Sequence, residues 1–136
     1  MAGSFSDFLE LEILDHVLGA AVYTPPVTVY VAAFTAAPSD TGGGTEVSGN
    51  NYSRVAVTNN ATNFPAASGA TALKSNGTVV TFPTASGSWG TVTHIGLFDA
   101  SSAGNLLMWA DLTASKAVGA NDTLTIPIGE LDITLA

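Results

Sequence analysis

Cysteine is absent from this chain of 136 residues, and basic residues are nearly absent. Without cysteine there is no disulfide framework, no thiolate nucleophile and no cysteine-based zinc site. Three Lys and Arg residues against eleven Asp and Glu residues give a formal net charge of −8. That balance leaves no basic surface to neutralise phosphates, so nucleic acid is not expected as a direct ligand.

Charged residues of either sign are scarce, at 10% of the chain, whereas apolar residues make up 46%. An average soluble domain carries about 25% charged residues. The surface must therefore be built largely from Ser, Thr, Asn, Gly and Ala, or be covered by other chains. The length suits one domain. The longest apolar stretch, residues 17–37, is interrupted by Pro25 and Pro26 and predicts a turn and a strand, so no membrane span is expected.

The N-terminal segment has the periodicity of an amphipathic helix, from Phe5 to Leu18. Ser4 and Ser6 are candidate N-caps, and Gly19 is a candidate C-terminal stop. Two apolar stripes run along this helix, one of Leu9, Ile13 and Val17 and one of Leu11, Leu14 and Leu18, and Phe5 and Phe8 complete the predicted interface set. One stripe suffices for packing on the helix's own domain. The second indicates either an interface with another subunit or a helix wedged into its own core.

After Pro26 the apolar period changes to two, which predicts strands. The candidate strands are residues 27–34, 52–58, 78–82, 92–98, 106–112, 116–118, 123–126 and 131–135. Gly, Asn, Ser and Pro clusters separate them, and no second amphipathic helix intervenes. The pattern predicts a mainly β chain, an antiparallel sandwich of Ig-like or jelly-roll-like type, with residues 1–22 as an N-terminal helix or arm and 23–136 as the sandwich domain. The long loops 36–51 and 59–77 indicate a function or a partner.

Catalytic and metal-binding patterns are sparse. His94, Asp99 and a serine could be combined into a triad, but a single histidine in a strand is more often structural, so neither a catalytic site, a metal site nor a cofactor is predicted. Paired carboxylates for glycoside hydrolysis stay open, because their separation depends on the fold. Trp89 and Trp109 are predicted as core or interface anchors, with sugar stacking as the alternative. The acids of the helix form a solvated face or steer it to a basic surface on a partner.

Several runs of residues, in the same order, resemble a family of small tailed-phage proteins that are commonly labelled phage tail fibre proteins. The longest run is WGTVTHIGLFDA at residues 89–100. The other runs are residues 6–10, 15–19, 23–26, 44–49, 52–54, 82–85 and 104–107. The resemblance spans nearly the whole chain, and it implies a non-enzymatic structural protein of the virion, made in the cytoplasm of the bacterial host.

Two positions in the particle are compatible with this resemblance. A capsid decoration (cement) protein would bind the major capsid protein on the outer shell as a homotrimer, and the alternative is a tail fibre or tail-tip component for host recognition. The small size, with no internal repeat or coiled coil, favours the capsid surface. In either position the predicted partners are virion proteins, contacted by the N-terminal helix and one sandwich edge. Arg54 is expected to tie Glu46 or an acid of the helix, while His94 and Asp99 brace the strand and the following turn.

Overall fold

A computed structural model describes residues 3–70 and 72–134 of the chain. The described chain is mainly β with one helix near the N-terminus, and its strands pair only antiparallel, so the predicted fold class is confirmed as β-sandwich-like. The elements are β1 (Gly3–Phe5), α1 (Asp7–Val17), β2 (Thr28–Ala36), β3 (Thr45–Glu46), β4 (Val55–Thr58), β5 (Lys74–Ser75), β6 (Val80–Thr81), β7 (Gly90–Phe98), β8 (Leu106–Val118), β9 (Thr125–Ile126) and β10 (Asp132–Ile133).

One six-stranded sheet forms the centre of the fold, in the order β1-β8-β7-β2-β3, with β4 also pairing β2. In the register of β2 on β7, Val31 lies opposite Leu97 and Ala33 lies opposite Ile95. All four side chains are buried. Because successive side chains of a strand point to opposite faces, this alternate set forms one apolar face.

The opposite face of the sheet is also covered. Phe34 of β2 is buried, and its ring stacks on Phe98 with the ring centroids 6.2 Å apart. Gly96 lies between them, and a Cβ atom there would come within 2.8 Å of the Phe34 ring. A glycine is therefore needed for the two rings to approach. Strand β2 therefore has buried apolar side chains on both faces.

The second layer consists of two small sheets, β5 with β10 and β6 with β9. Their loops contribute side chains to one core cluster with the central sheet. The second-layer members of the cluster are Phe64, Val80, Phe82, Ala85, Trp89, Leu124, Ile126 and Leu131. Asn76 is 3% exposed and joins the loops of this layer, since its amide donates to the Thr78 and Pro127 carbonyls and accepts from the Leu131 N–H.

The N-terminal helix begins two residues later than predicted. Residues 3–5 pair with β8, with Phe5 opposite Met108, so they are a strand and not the first turn of the helix. Ser6 is the N-cap, and its hydroxyl accepts the Leu9 N–H at 3.2 Å. At the other end, Gly19 has a φ of +87° and the Ala20 N–H donates to the Asp15 carbonyl. This is the glycine stop that the sequence predicts.

Several strand bounds differ from the prediction. Residues 116–118 are not a separate strand, because they continue β8 and pair with β7 from Gly90 to Val92. Residues 52–54 precede β4, since the Tyr52 N–H closes a turn on the Gly49 carbonyl. Strands β3 and β5 lie inside the two predicted long loops. Leu135, at the end of the last predicted strand, lies outside the described residues.

Candidate functional site: the exposed face of helix α1

Helix α1 is held to the sheet by its first turn. The Ser6 N–H donates to the Leu107 carbonyl of β8, and the Asp7 N–H donates to the Asp40 carbonyl, both at 2.9 Å. The Ser6 hydroxyl also donates to the Leu106 carbonyl. These bonds orient the helix so that Leu9, one turn further on, faces the sheet.

Leu9 is a correction to the predicted interface set. Its side chain is 5% exposed, so it is part of the protein's own core and is not available to a partner. Phe5 and Phe8 are half-buried, Phe5 because it belongs to β1. The first stripe of the helix therefore packs on its own chain at the N-terminal end, whereas Ile13 and Val17 of the same stripe are exposed.

The second predicted stripe is exposed along its whole length. Leu11, Leu14 and Leu18 are 64%, 56% and 79% exposed, respectively, and we call these three residues the outer apolar stripe. Their i, i+3, i+7 spacing places them on one face of the helix. That face points away from the buried Leu9, because Leu9 lies on the opposite side of the helical projection. Val17 extends the exposed apolar surface on one side.

Carboxylates border this stripe. At 3.6 residues per turn, Glu10 and Asp15 project about 70° to either side of its centre. Both residues are exposed. Within residues 3–70 and 72–134 one ion pair forms, between Arg54 and Glu46, so the acids of the helix have no basic partner there. The outward surface of α1 is thus apolar from Leu11 to Leu18 and negative along its edges, and the exposed Asp7 projects onto the line of the stripe at its N-terminal end.

A groove of 220 Å³ lies beneath the helix, on the face that carries Leu9 and Ile13. Pro25, Val29 and Met108 contribute to its walls, which are almost wholly apolar. The Tyr23 N–H donates to Nδ1 of His16 at 3.1 Å, which ties the segment after the helix back to its last turn. His16 therefore has a structural contact there, and in the described residues it belongs to no group of three or more metal-binding side chains.

Arg54 contacts several separate segments of the fold. Its guanidinium donates to both oxygens of Glu46 at 2.8 Å, and to the carbonyls of Ala100 and Ala103 at 2.8 and 2.9 Å. It also lies 3.6 Å from the centroid of the Phe98 ring. Of the two partners that the sequence leaves open, the structure shows Glu46. The only arginine therefore ties β3 and β4 to the turn after β7.

Asp99 and His94 each contact a neighbour. The Asp99 carboxylate accepts the Asn105 N–H at 2.7 Å and its side-chain amide at 2.8 Å, which closes the turn between β7 and β8. His94 Nδ1 lies 2.8 Å from the Thr93 hydroxyl, and its ring lies 5.9 Å from that of Trp109. Each side chain thus bonds a near neighbour in sequence, with no serine nucleophile in either contact.

The two tryptophans are anchors. Trp89 is 6% exposed, and its indole N–H donates to the Asn50 carbonyl at 2.9 Å. Trp109 is half-buried and donates to the Asp40 carboxylate at 2.9 Å. Sequence reasoning missed Asp40, whose carbonyl also holds the start of α1. A buried indole N–H needs an acceptor, but nothing in the spacing shows which loop supplies it.

Tyr52 is a second residue that the sequence does not single out. Its hydroxyl donates to Glu46 at 2.8 Å and accepts the Ala33 N–H at 3.0 Å. Burial raises the pKa of this phenol well above its ordinary value, and the Glu46 carboxylate raises it further. Burial and a neighbouring negative charge each disfavour the charged phenolate. The ring packs edge-on against Trp89, so the hydroxyl links the core to the Arg54–Glu46 pair.

In the part of the chain that the structure describes, no three His, Cys, Asp or Glu side chains converge so as to hold a metal ion. Within the same residues, no helix combines the length and the apolar character that crossing a bilayer requires. Bonds to other residues of the fold are formed by the side chains of His16, Arg54, Tyr52, His94 and Asp99.

An antiparallel β-sandwich-like domain that presents an apolar helix on its surface has the character of a subunit of a larger assembly. Residues 4–134 match the family described as Podophage GP4 fiber I protein gp80. The chain therefore belongs to this family, and the resemblance to a structural protein of the phage virion is confirmed. As a virion component it associates with other virion proteins. No curated protein matches the sequence.

Proposed function

We propose that this chain is a non-enzymatic structural subunit of a podophage fibre, held to another virion protein by the outer apolar stripe. The observation that carries the proposal is the exposure of Leu11, Leu14 and Leu18 on one helix face. Contiguous apolar surface of this kind on a soluble domain marks a site of interaction.

The fibre is favoured over capsid decoration because the family description names a fibre protein. Capsid decoration is favoured only by the small size of the chain, and size is a weak criterion. A fibre assembled from several chains can include a small compact subunit. The homotrimer stays a prediction, as does a host-recognition surface.

The energetics of attachment are consistent with a permanent subunit. Full burial of one leucine side chain contributes about 1.5–3 kcal/mol, and the three leucines of the stripe are more than half exposed before binding. One such contact is modest. Repeated copies of it on one particle act together, since each further contact forms at a high effective concentration.

The absence of catalysis in this proposal is supported by the partners of the candidate residues. Asp99 closes a turn with Asn105, and His94 bonds the adjacent Thr93. A triad of His94, Asp99 and a serine would need His94 and Asp99 to bond each other, and each instead bonds a near neighbour in sequence.

The position of the subunit in the virion tests the proposal. We expect a reconstruction of the intact phage by electron cryomicroscopy to place this domain in a fibre at the tail, with α1 against a neighbouring protein. A copy on the outer capsid shell would contradict the fibre and support a decoration protein. Purified virions without the chain would overturn any virion role.

A further inference from the structure

The outer apolar stripe has the pattern of a helix that binds in a groove. Leu11, Leu14 and Leu18 follow the i, i+3, i+7 spacing by which amphipathic helices insert anchors into an apolar groove. The helix is fixed to its own domain through Ser6 and Leu9, so the stripe is presented on a rigid element and not on a flexible tail. A groove is therefore a better complement to this surface than a flat face.

The negative charge on either side of the stripe indicates which side chains should surround the partner's groove. Glu10 and Asp15 border the stripe on opposite sides, and both are exposed. Neither has a basic partner in the described residues, where the single ion pair is that of Arg54 with Glu46. When the leucines are buried, these carboxylates come to lie at the rim of the interface, where opposite charge is favourable and like charge is not.

A second copy of this chain is a poor occupant for the same reason. Packing two such helices against each other would bring the Glu10 and Asp15 rims of both copies together, and each chain carries a net charge of −8. Of the three basic residues, Arg54 is already bonded to Glu46, Lys74 donates to the Pro65 carbonyl, and Lys116 is exposed on β8. The chain therefore has little positive charge with which to complement its own helix.

Building on the proposed function, we infer that the outer apolar stripe binds an apolar groove rimmed by Lys or Arg on a different virion protein. The leucines supply the binding energy. The carboxylates set the orientation of the helix and speed the encounter.

Charge reversal in phage assembly tests this inference. Cells are infected with a phage whose own copy of the gene is inactive, plasmid-borne variants are supplied, and incorporation into purified virions is measured by mass spectrometry. We expect Glu10→Lys and Asp15→Lys each to lower incorporation about tenfold. The control Glu130→Lys, an equal change of net charge far from α1 in sequence, should incorporate normally. Raised NaCl should slow the binding of purified wild-type chain to virions assembled without it.

The two helix variants also control for helix stability. A lysine at position 10 opposes the helix dipole, whereas a lysine at position 15, near the C-terminal end, complements it. If both variants lose incorporation, the cause is therefore the changed charge at the rim of the interface and not a change in helix stability. Near-UV circular dichroism of the buried Trp89 verifies that each variant is folded.

A third variant separates the inference from the proposed function. Replacing Leu11, Leu14 and Leu18 together with Gln preserves helix propensity and removes the stripe. If this variant is excluded while both Lys variants incorporate normally, the basic rim is overturned and attachment by the helix stands. If it incorporates normally, attachment by the stripe itself is overturned. If the wild-type chain is an oligomer at pH 7 and this variant a monomer, the occupant is a second copy and the inference fails.

Discussion

At the scale of single residues, Arg54 joins segments that are distant in sequence. Its side chain is 6% exposed, and it contacts Glu46, two carbonyls of the turn after β7 and the Phe98 ring. Several contacts thus depend on one guanidinium. Its removal would leave the Glu46 carboxylate without its cation and the turn without its tie to β4.

We expect Arg54→Ala to lower the free energy of unfolding by about 3 kcal/mol, because it breaks a largely buried ion pair. Arg54→Lys keeps the charge but loses the bidentate bond to Glu46 and the stacking on Phe98. Its free energy of unfolding should therefore fall by less than that of Arg54→Ala. Urea denaturation followed by tryptophan fluorescence measures both. Equal stability of Arg54→Ala and the wild type would show that the pair contributes nothing net.

The buried phenol of Tyr52 should make the stability of the fold depend on pH in the alkaline range. Because burial raises the pKa of its phenol above the ordinary 10.0, the unfolded chain loses this proton at a lower pH than the folded one. The contribution to stability is present below pH 10 and is lost as the pH rises above it. The loss should reach about 1.4 kcal/mol per pH unit for one proton.

Denaturation in urea at successive values from pH 8 to pH 12 measures this slope in the wild type and in Tyr52→Phe. The variant should have a shallower slope above pH 10. It should also be less stable at neutral pH, by about 1–2 kcal/mol, because the Ala33 N–H loses its acceptor. Partial burial also raises the pKa of Tyr23, so some slope should persist in the variant. An unchanged slope would contradict the role of Tyr52.

The residue contacts that sequence could predict are those between opposite charges. Glu46 was one of two expected partners of Arg54, since a single arginine in an acidic chain must find a carboxylate. Asn76 and Asp40 also join distant segments of the chain, and the sequence predicts neither role. Their partners are mainly backbone groups and an indole N–H, which become available only when the loops have been positioned by the fold.

At the scale of elements, the start of α1 depends on one hydroxyl. Ser6 is 2% exposed, accepts the Leu9 N–H and donates to the Leu106 carbonyl. The hydroxyl of Ser4, the other candidate cap in the sequence, donates to the adjacent Phe5 carbonyl and caps no helical N–H. The choice between the two caps follows from the pairing of β1 with β8, which keeps Ser4 extended.

Ser6→Ala should destabilise the protein by about 1–2 kcal/mol and should increase hydrogen exchange in the first turn of α1, because the Leu9 N–H loses its acceptor. Ser4→Ala is the matched control, and its effect should lie within about 0.5 kcal/mol. Hydrogen exchange followed by mass spectrometry measures both variants. A larger effect at Ser4 would place the cap there.

Most strands fall within stretches that the sequence predicts, but β8 was expected as two strands and forms one, and the short strands β1, β3 and β5 were not predicted. Strands β2 and β7, with nine residues each, show clear apolar patterns, and the helix shows its own period. Strands β3 and β5 have two residues each, too few to show any period. They form because the loops that contain them pass beside a partner strand.

At the scale of the whole molecule, the charge of −8 and the outer apolar stripe oppose each other. Mutual repulsion between copies opposes their association at neutral pH, while the exposed leucines favour it. As the pH falls toward the isoelectric point of about 4.1, carboxylates are protonated and repulsion is lost.

The purified chain should therefore self-associate as the pH is lowered from 7 to 4. The variant with Gln at positions 11, 14 and 18 should stay dissociated over the same range. Sedimentation velocity at a series of pH values measures the change. Association of wild type and variant at the same pH would show that another surface is responsible.

The insertion of α1 between β1 and β2 determines how a mechanical load would pass through the domain. Both flanking strands belong to the central sheet, β1 at its edge and β2 in its interior. A pull on a helix lodged in a neighbouring protein would therefore reach the sheet along two routes. Tension on β1 would act on its pairing with β8, and tension on β2 would be shared with β7 and β4.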